Sequence, residues 1–553
     1  MNCYQQDSKL AIKSGDLLRA LDLASQGLAE HPNNPELLHT KALATLQILG
    51  PHAAGAILDT SAVDTSGHLE LLCLRARIQK DRWVVSGDLE MIRQAGQLYG
   101  QASRLEPDNE YPAINAATCM LLGGEGSEAR RLAAQVTLVC EQKIGLDSSD
   151  FYAKITRAEA LAIQGEIEKS HAQYADTAAS HPGRIRDLAS AHRQARLIAA
   201  ARYGDPAVFD TAFPRRRVLV MDHELIHKGE LRFEPLPADQ RVKLESTLDQ
   251  RLRESLSAIG FACPTSMAEF LFIDLLRKKN ISYHVFLPWS ENDLLDRLIP
   301  PSHHQRFKDI LRDAESVRVL SQAASSTSEI SSHYSEMVMI GVATLMAQAL
   351  DLELEFLMLN DSDSPLADQA PGGAQSIKSI LFADITGYSS LPERAIPSFV
   401  QHFMQAIAGL IDTSGNQALI SNTWGDALYL VFEEPESAGN FALELQSLVN
   451  TTDWASRGLP DDFGIRIGLH AGPVYSIVDP VIKRPSFTGF HVSWAARIEP
   501  RAAPNSIYTS EEFAAVAALN EQSSLKCDYV GLLPLPKNFG EKRVYRLRRG
   551  DRG

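Results

Sequence analysis

The sequence has few cysteines, and none of them are paired at a metal-ligand spacing. Six cysteines are spread over the 553 residues, without a CxxC motif. This pattern argues against a disulfide framework or a zinc site. It predicts reduced, buried thiols in a cytosolic protein.

Long apolar runs and a surplus of basic residues are also missing. The longest apolar run, residues 338–350, is shorter than the roughly 20 residues that a membrane span needs. Residues 1–16 lack the basic start and apolar stretch of a signal peptide. The formal net charge of −15 repels nucleic acid and anionic lipid. We therefore expect a cytoplasmic protein that binds neither nucleic acid nor membrane.

The chain is long enough for three or four domains. Residues 1–205 show helical periodicity that repeats, because the outline of residues 15–32 recurs at 165–182. Small residues at the shared offsets allow two antiparallel helices to approach closely. The segment resembles tetratricopeptide repeats in degenerate form. Such arrays bind a protein partner on a concave surface, or act as a helical spacer, and both interpretations remain open.

Apolar runs of strand length alternate with helical stretches from residue 214 to 360. The predicted strands cover 218–221, 281–287, 317–320 and 354–359, with helices at 304–314 and 337–350. This order predicts a Rossmann-like domain with a parallel sheet. No glycine-rich phosphate loop follows a strand. The domain therefore either packs and transmits a signal or binds a small molecule by other means.

Residues 361–375 are rich in Asp, Ser, Pro and Gly and are predicted to form a linker. The segment that follows, 376–548, has the order strand, helix, strand, strand, helix, strand. The predicted elements are 377–383, 396–411, 418–423, 427–432, 437–449 and 465–470. This order predicts an α+β ferredoxin-like sheet.

Two aspartates occupy informative places on that framework. Asp384 ends the first strand, and Asp426 lies in the hairpin turn. The first strand of a ferredoxin-like sheet lies beside this hairpin, so the two carboxylates can meet and hold two Mg²⁺ or Mn²⁺ ions. The backbone of Thr386, Gly387 and Tyr388 would offer amide hydrogens to phosphates. A single Asp at a strand end more commonly caps a turn; the pairing favours metal binding.

Four ordered segments carry a resemblance to a known family. Residues 380–389, 423–428, 466–472 and 489–499 look like motifs of class III adenylate and guanylate cyclases. The resemblance implies a nucleotidyl cyclase domain, a phosphorus–oxygen lyase that works as a homodimer with shared sites. It also implies that Asp384 and Asp426 bind the metals, and that Ile385 lends a backbone carbonyl to one of them.

The same resemblance assigns three further residues. Arg497 matches the arginine that stabilises charge on the α-phosphate; a surface salt bridge is the simpler alternative. Ser493 lies one helical turn earlier, where the family places an asparagine that orients the ribose. Lys537 resembles the lysine that contacts the terminal phosphates, although the match needs a one-residue shift, and a solvated surface lysine is the alternative.

The residues at the base-reading positions depart from the family. Asn422 replaces the lysine usual in adenylate cyclases, and Ser486 stands at the paired position. Both side chains donate and accept hydrogen bonds, so they do not dictate adenine, guanine or a pyrimidine. We therefore expect a cyclase of a nucleoside triphosphate, ATP by default, in intracellular signalling. The alternatives are another nucleotide, or a weakly active regulatory module on a protein-binding scaffold.

Overall fold

The computed structural model describes the chain in eleven segments, which form two compact units. The first unit comprises residues 1–215 together with 530–532, and the second comprises the rest of the chain. The described residues are 3–14, 16–214, 216–221, 233, 237–254, 257–321, 328–357, 375–460, 463–481, 483–534 and 541–550.

The first unit is helical. Its helices are α1 (Cys3–Ser14), α2 (Leu17–Glu30), α3 (Pro35–Leu49), α4 (Pro51–Asp59), α5 (Leu69–Ser86), α6 (Leu89–Leu105), α7 (Glu110–Leu122), α8 (Gly126–Leu146), α9 (Phe151–Gln164), α10 (Ile167–Ser180) and α11 (Ile185–Tyr203), followed by a 3₁₀ turn at Pro206–Ala212. The predicted helical array is therefore confirmed. The core includes Phe209, which lies in this 3₁₀ turn, beyond the predicted end at residue 205.

The repeat seen in the sequence has the expected packing. Ala20 and Ala24 of α2 are fully buried, as are Ser170 and Tyr174 at the matching positions of α10. Gly165 has a φ of +98° in the turn between α9 and α10, a conformation that glycine adopts without a steric penalty. The small and apolar positions of the repeat therefore face the helix–helix contacts.

A five-stranded sheet with only parallel neighbours follows in the second unit. Its strands are β1 (Arg217–Met221), β2 (Ser257–Ala262), β3 (Ser282–Leu287), β4 (Ser316–Val319) and β5 (Glu353–Leu357), in the order β4-β3-β2-β1-β5. Its helices are α12 (Ala238–Glu254), α13 (Met267–Lys278), α14 (Glu291–Arg297), α15 (His304–Asp313) and α16 (Ser328–Leu350).

Four of these strands lie where the sequence predicted them, and β2 was missed. The β2 run, SAIGFA, is short and interrupted by Gly260, which weakens its strand pattern. A Cβ at Gly260 would lie 2.3 Å from a methyl carbon of Leu276, so glycine lets α13 pack closely on the sheet. The Rossmann-like classification of this domain remains a prediction.

A second sheet follows, after a predicted linker whose residues 361–374 lie outside the described part of the chain. The elements are β6 (Gln375–Thr386), α17 (Ile396–Ser398), a π-helical stretch (Phe399–Met404), α18 (Gln405–Thr413), β7 (Ile420–Trp424), β8 (Ala427–Phe432), α19 (Pro435–Thr451), β9 (Gly464–Val478), β10 (Pro485–Thr488), α20 (Phe490–Ile498), β11 (Ser506–Ser510), α21 (Glu511–Ala518), β12 (Leu525–Pro534) and β13 (Glu541–Arg549). Gln375, which the sequence placed in the linker, begins β6.

The second sheet has the order β12-β13-β11-β9-β6-β8-β7, with β10 paired to β9. The first strand, β6, lies between β9 and the β7–β8 hairpin, as the ferredoxin-like order predicted. Its centre is fully apolar, with Ile380 and Leu381 both completely buried. This position brings the end of β6 next to the hairpin turn.

Helix α16 of the first sheet packs directly on the second sheet. The Tyr334 hydroxyl donates to the carbonyl of Ala471 at 2.7 Å. A Cβ at Gly341 would lie 2.1 Å from the carbonyl oxygen of Ala515 in α21. Arg318 of β4 forms an ion pair with Glu511 at 2.6 Å, and both side chains are largely buried. The two sheets therefore share one apolar and charged interface.

No helix among the described residues is both long and apolar enough to cross a membrane. Of the six cysteines, four are buried, as predicted, but Cys3 is exposed and Cys527 is intermediate.

Candidate active site

Asp384 faces an arginine across the sheet. The antiparallel register of β6 and β9 pairs Asp384 with Arg466, and an Nη of Arg466 lies 2.9 Å from Oδ2 of Asp384. Opposite charges placed directly across two strands stabilise the pair. The Arg466 Nε also lies 3.5 Å from Oε1 of Glu499. Arg466 therefore sits between two carboxylates.

Asp426 reaches the same place through the hairpin. Strands β7 and β8 are joined by the two residues Gly425 and Asp426, and Gly425 has a φ of +67°, as tight hairpin turns require. The register of β6 with β8 pairs Ala383 with Leu428, so the turn lies beside the end of β6. Asp384 and Asp426, 42 residues apart in the sequence, are thus brought together.

The charges of this cluster are incompletely balanced. Burial raises the pKa of Asp426, and the nearby Asp384 carboxylate raises it further. Burial, with a contribution from Asp384, also raises the pKa of Glu499 to about 7. Among the described residues, Oε1 of Glu499 and Nε of Arg466 are buried without a hydrogen-bond partner. The cluster is therefore a site where a cation would relieve electrostatic repulsion between carboxylates.

Arg466 and Glu499 were not predicted from the sequence as site residues. Both lie inside segments that carried the family resemblance, but neither stood out, because charged residues at strand and helix ends are common. One available signal was the sheet order, since β6 and β9 are antiparallel neighbours and Arg466 lies near the start of β9, opposite the end of β6 that carries Asp384. Glu499 had no comparable signal, because its approach depends on the fold of α20.

Helix α20 carries Arg497 and Ser493 on a half-buried face. The guanidinium of Arg497 donates to the carbonyl of Ser493 one turn earlier. The end of this helix approaches β9 closely, since a Cβ at Gly468 would lie 2.5 Å from the amide nitrogen of Glu499. The two predicted catalytic residues therefore lie on an element that is fixed against the strand carrying Arg466.

A buried polar network supports the other face of α20. His470 of β9 contacts Ser510 at 2.7 Å and His491 of α20 at 2.8 Å. Glu512 forms an ion pair with Lys542 at 2.8 Å nearby. Burial lowers the pKa of His470 from 6.5 to about 4. His470 is therefore neutral in the folded protein at neutral pH.

His470 predicts a loss of stability in mild acid. Its folded pKa, about 4, lies below the ordinary value of 6.5, so its stabilisation is complete above pH 6.5 and is lost as the pH falls towards 4. Between pH 7.5 and 5 this amounts to about 2 kcal/mol. Urea unfolding of metal-free protein should show this fall, and His470→Gln should reduce it by about that amount.

The control for this prediction is His402→Gln, which changes a partly exposed histidine of the same domain. It should leave the pH dependence unchanged. An equal fall in stability for wild type and His470→Gln would show that His470 does not accept a proton on unfolding.

The remaining predicted residues lie around the cluster or outside the described residues. Thr386 ends β6, and Gly387 follows with a φ of +93° and an exposed backbone. Tyr388 begins a short 3₁₀ turn and packs against Phe399. Asn422 lies on β7 and Ser486 on β10, both half-buried. Lys537 lies outside the described residues, and Ile385 is a buried strand residue.

The donor set suits a hard divalent cation. Asp384 and Asp426 supply carboxylate oxygens, the ligands that Mg²⁺ and Mn²⁺ prefer. Burial and the nearby Asp384 carboxylate raise the pKa of Asp426, so a bound cation would favour its charged form. Within the described segments there is no group of three or more His, Cys, Asp or Glu side chains that could hold a metal ion. A site here would therefore need backbone, water or substrate oxygens as well.

Comparison with known families identifies two regions of the chain. Residues 374–547 match the family described as "Adenylate and Guanylate cyclase catalytic domain". This portion of the chain is thus similar to adenylate and guanylate cyclase catalytic domains. Residues 16–120 match the family described as "Tetratricopeptide Repeats-Sensor". The sequence predicted both likenesses, the first over residues 376–548 and the second over residues 1–205. No curated protein matches it.

Solved cyclase structures resemble about a third of the chain. The adenylyl cyclase CyaB from P. aeruginosa is 16% identical, covering 32% of this chain and 96% of its own, with a TM-score of 0.29. The guanylate cyclase domain of RhGC from Catenaria anguillulae, in complex with GTP, is 20% identical, with coverages of 32% and 100% and a TM-score of 0.28. An adenylate cyclase structure from Trypanosoma brucei is 20% identical, with coverages of 33% and 92% and a TM-score of 0.29. At these identities and scores, the likeness does not bear on substrate.

Proposed function

We propose that the cyclase domain converts a nucleoside triphosphate into a 3′,5′-cyclic nucleotide and pyrophosphate. The 3′-hydroxyl attacks the α-phosphate, the new O–P bond closes the ring, and pyrophosphate leaves. The observation that carries this proposal is that the β6–β8 register brings the end of β6, with Asp384, beside the hairpin turn that holds Asp426. Burial raises the pKa of Asp426, and the Asp384 carboxylate raises it further, so a bound cation would stabilise the pair.

Asp384, Asp426 and the backbone carbonyl of Ile385 would hold two Mg²⁺ or Mn²⁺ ions. When bound, such ions neutralise the triphosphate and lower the pKa of the attacking hydroxyl. Arg466 keeps the Asp384 carboxylate in place through the 2.9 Å contact. The exposed backbone at Gly387 lets the triphosphate approach closely, because no side chain stands in its way.

Arg497, Ser493 and Lys537 would complete the site from a second subunit. Arg497 would stabilise the charge that develops on the α-phosphate, and Lys537 would contact the terminal phosphates. Ser493 would reach the ribose with a hydroxyl, directly or through a water. We place these residues opposite the aspartates of the partner copy, so that the homodimer has two shared sites.

Exposed apolar side chains support this dimer. Trp424 is 61% exposed on the β7–β8 hairpin, and Val478 is 67% exposed on the arm formed by β9 and β10. The β7–β8 hairpin contacts the β9–β10 arm within one copy. Trp424 stacks on Tyr429, and the Tyr429 hydroxyl donates to the carbonyl of Phe487 in β10. Large apolar side chains on adjoining elements mark an association surface.

The two base-reading positions do not select the base of the substrate, because Asn422 and Ser486 each donate and accept hydrogen bonds. ATP is the default because it is a common substrate of the family, and a guanine or pyrimidine nucleotide is the alternative. A regulatory module with weak activity is the other candidate, and the shorter side chain of Ser493 favours it.

The repeats, whose family description includes the word "Sensor", would receive a signal or recruit a protein partner. We propose a role in intracellular, cytoplasmic signalling.

A product assay tests this function. Purified full-length protein is incubated with each of the four ribonucleoside triphosphates and Mn²⁺, and the products are identified by mass spectrometry. We expect one cyclic nucleotide in clear excess, and none from Asp384→Ala, because the variant loses a metal ligand. Asp412→Ala removes an exposed aspartate of α18 and should retain the activity. A wild type without any cyclic product, or an equal yield from Asp384→Ala, would refute the enzyme.

A further inference from the structure

A cavity of about 150 Å³ lies inside the helical unit, between α4, α5 and α6. Its lining consists of Gly55, Leu58, Asp59, Arg75, Ile78, Gln79, Arg82 and Leu98. Leu58, Ile78 and Leu98 are the apolar side chains of this lining, and two guanidinium groups, one carboxylate and one amide are its polar groups. The cavity is large enough for a phosphate or carboxylate group.

The two arginines of this cavity differ in their partners. Arg75 forms an ion pair with Asp59 at 2.6 Å and donates to Thr65. The guanidinium of Arg82 has no hydrogen bond or ion pair with any residue in the described part of the chain, and its Nε is buried. Leaving a buried donor without an acceptor costs free energy. The Nε of Arg82 is therefore a donor that has no acceptor among the described residues.

Gln79, on the same helix as Arg82, has a hydrogen-bond acceptor in place of a donor. Its Oε1 is buried and has no donor among the described residues. Gln79 and Arg82 are three residues apart on α5, so their side chains lie on the same face. One cavity thus holds an unsatisfied cationic donor and an unsatisfied acceptor. A single small molecule with an anionic group and a hydroxyl or amino group would satisfy both.

Gly55 of α4 makes room for this arrangement. A Cβ at Gly55 would lie 2.1 Å from an Nη of Arg82. The guanidinium thus rests against the backbone of α4, in space that exists because position 55 has no side chain. Any larger residue would push the arginine head group away from this wall of the cavity.

We propose that this cavity is a binding site for a small organic anion. Its phosphate or carboxylate group binds Arg82, and its hydroxyl or amino group donates to Gln79. The apolar side chains of the lining, Leu58, Ile78 and Leu98, contact the carbon body. The site lies within the repeats and is independent of the cyclase chemistry.

Calorimetric titration of the full-length protein tests the proposal with three probes: inorganic phosphate, glycerol 3-phosphate and malate. Glycerol 3-phosphate and malate carry the two candidate anionic groups with a hydroxyl, so their comparison identifies which group the site takes. We expect one of them to saturate a single site. Arg82→Met should weaken it about 10- to 100-fold, as expected for one charge-assisted hydrogen-bonding group.

Two further variants separate this site from surface charge. Arg77→Met removes an exposed arginine of the same helix, which pairs with Asp81 at 3.8 Å, and should leave binding unchanged. Gly55→Ala should weaken binding, because the added methyl displaces the guanidinium. The proposal is overturned if neither organic anion binds at up to about 10 mM, or if Arg77→Met weakens binding as much as Arg82→Met.

Thermal unfolding without ligand gives a second readout. Arg82→Met keeps the apolar stem and removes an unpaired charge, so the unfolding temperature should stay the same or rise. A residue held for structural reasons would give the reverse. A lower unfolding temperature together with unchanged binding would show that Arg82 serves the fold rather than a ligand.

Discussion

Asp426→Asn and Arg497→Ala should each lower the rate of cyclic nucleotide formation by about 10³-fold or more. Asp426→Asn removes the charge of one of the two converging carboxylates while keeping the size of the side chain. Arg497→Ala removes the donor proposed to act on the α-phosphate. Initial rates of product formation by each purified variant, at saturating substrate and Mn²⁺, measure the effect.

Mixing the two inactive variants should restore activity. If each site takes its aspartates from one subunit and its arginine from the other, a mixed dimer has one intact site and one doubly altered site. With random exchange, half of the dimers are mixed, so about a quarter of the wild-type rate should return. The physical reason is that two-fold symmetry places the two altered residues in the same cleft.

A matched control uses two variants of the same side of the site. Asp384→Ala mixed with Asp426→Asn should remain inactive, because every site then lacks an aspartate. Full activity of Arg497→Ala alone would remove that residue from the proposed mechanism. Inactivity of the Asp426→Asn and Arg497→Ala mixture, with dimers verified by light scattering, would show that the sites are not shared.

Gly341→Ala should strongly destabilise the protein. Gly341 lies in α16, where an added Cβ would be 2.1 Å from the carbonyl oxygen of Ala515 and 2.4 Å from its carbonyl carbon. Both are backbone atoms and cannot move without shifting α21. We expect a loss of about 3 kcal/mol in the free energy of unfolding, measured in urea.

Gly409→Ala is the control for this substitution. Gly409 is also in a helix, α18, but a Cβ there would meet no atom within 4 Å. Alanine has the higher helix propensity, so this variant should be more stable, by up to about 1 kcal/mol. The contrast separates the close helix–helix contact from helix propensity. Equal effects at both positions would mean that α16 and α21 do not approach as closely as the structure shows.

Periodicity predicted most elements of the cyclase domain up to its fourth strand. The hairpin strand β8 was predicted with its observed bounds, because its apolar run begins directly after the Gly–Asp turn. Strand β9 was predicted to end at residue 470 but continues to Val478, and its last four residues are exposed and pair with β10. Burial on one sheet face does not continue there, so its pattern fades.

The site was partly predictable for a related reason. Asp384 and Asp426 mark the ends of elements that the pattern itself reveals, so the sheet order was enough to bring them together. Arg466 lies in an ordinary strand run, and its importance comes from facing Asp384 across the sheet. Glu499 joins the cluster only because α20 ends close against Gly468.

The cavity in the repeats could not be seen in the sequence at all. Arg82 is one of many helical arginines, and nothing in its neighbours in the chain shows that it lacks a partner. Its position follows from Gly55, 27 residues earlier, whose missing side chain leaves the space.

The sequence by itself determined the helical repeats, the alternation of strands and helices, and the two aspartates at strand ends, because local periodicity and turn chemistry encode them. Only the tertiary structure decided which charges face one another, which polar groups remain unpaired, and where α16 meets the cyclase sheet. Those outcomes depend on contacts between residues far apart in the chain, and such contacts leave no local pattern.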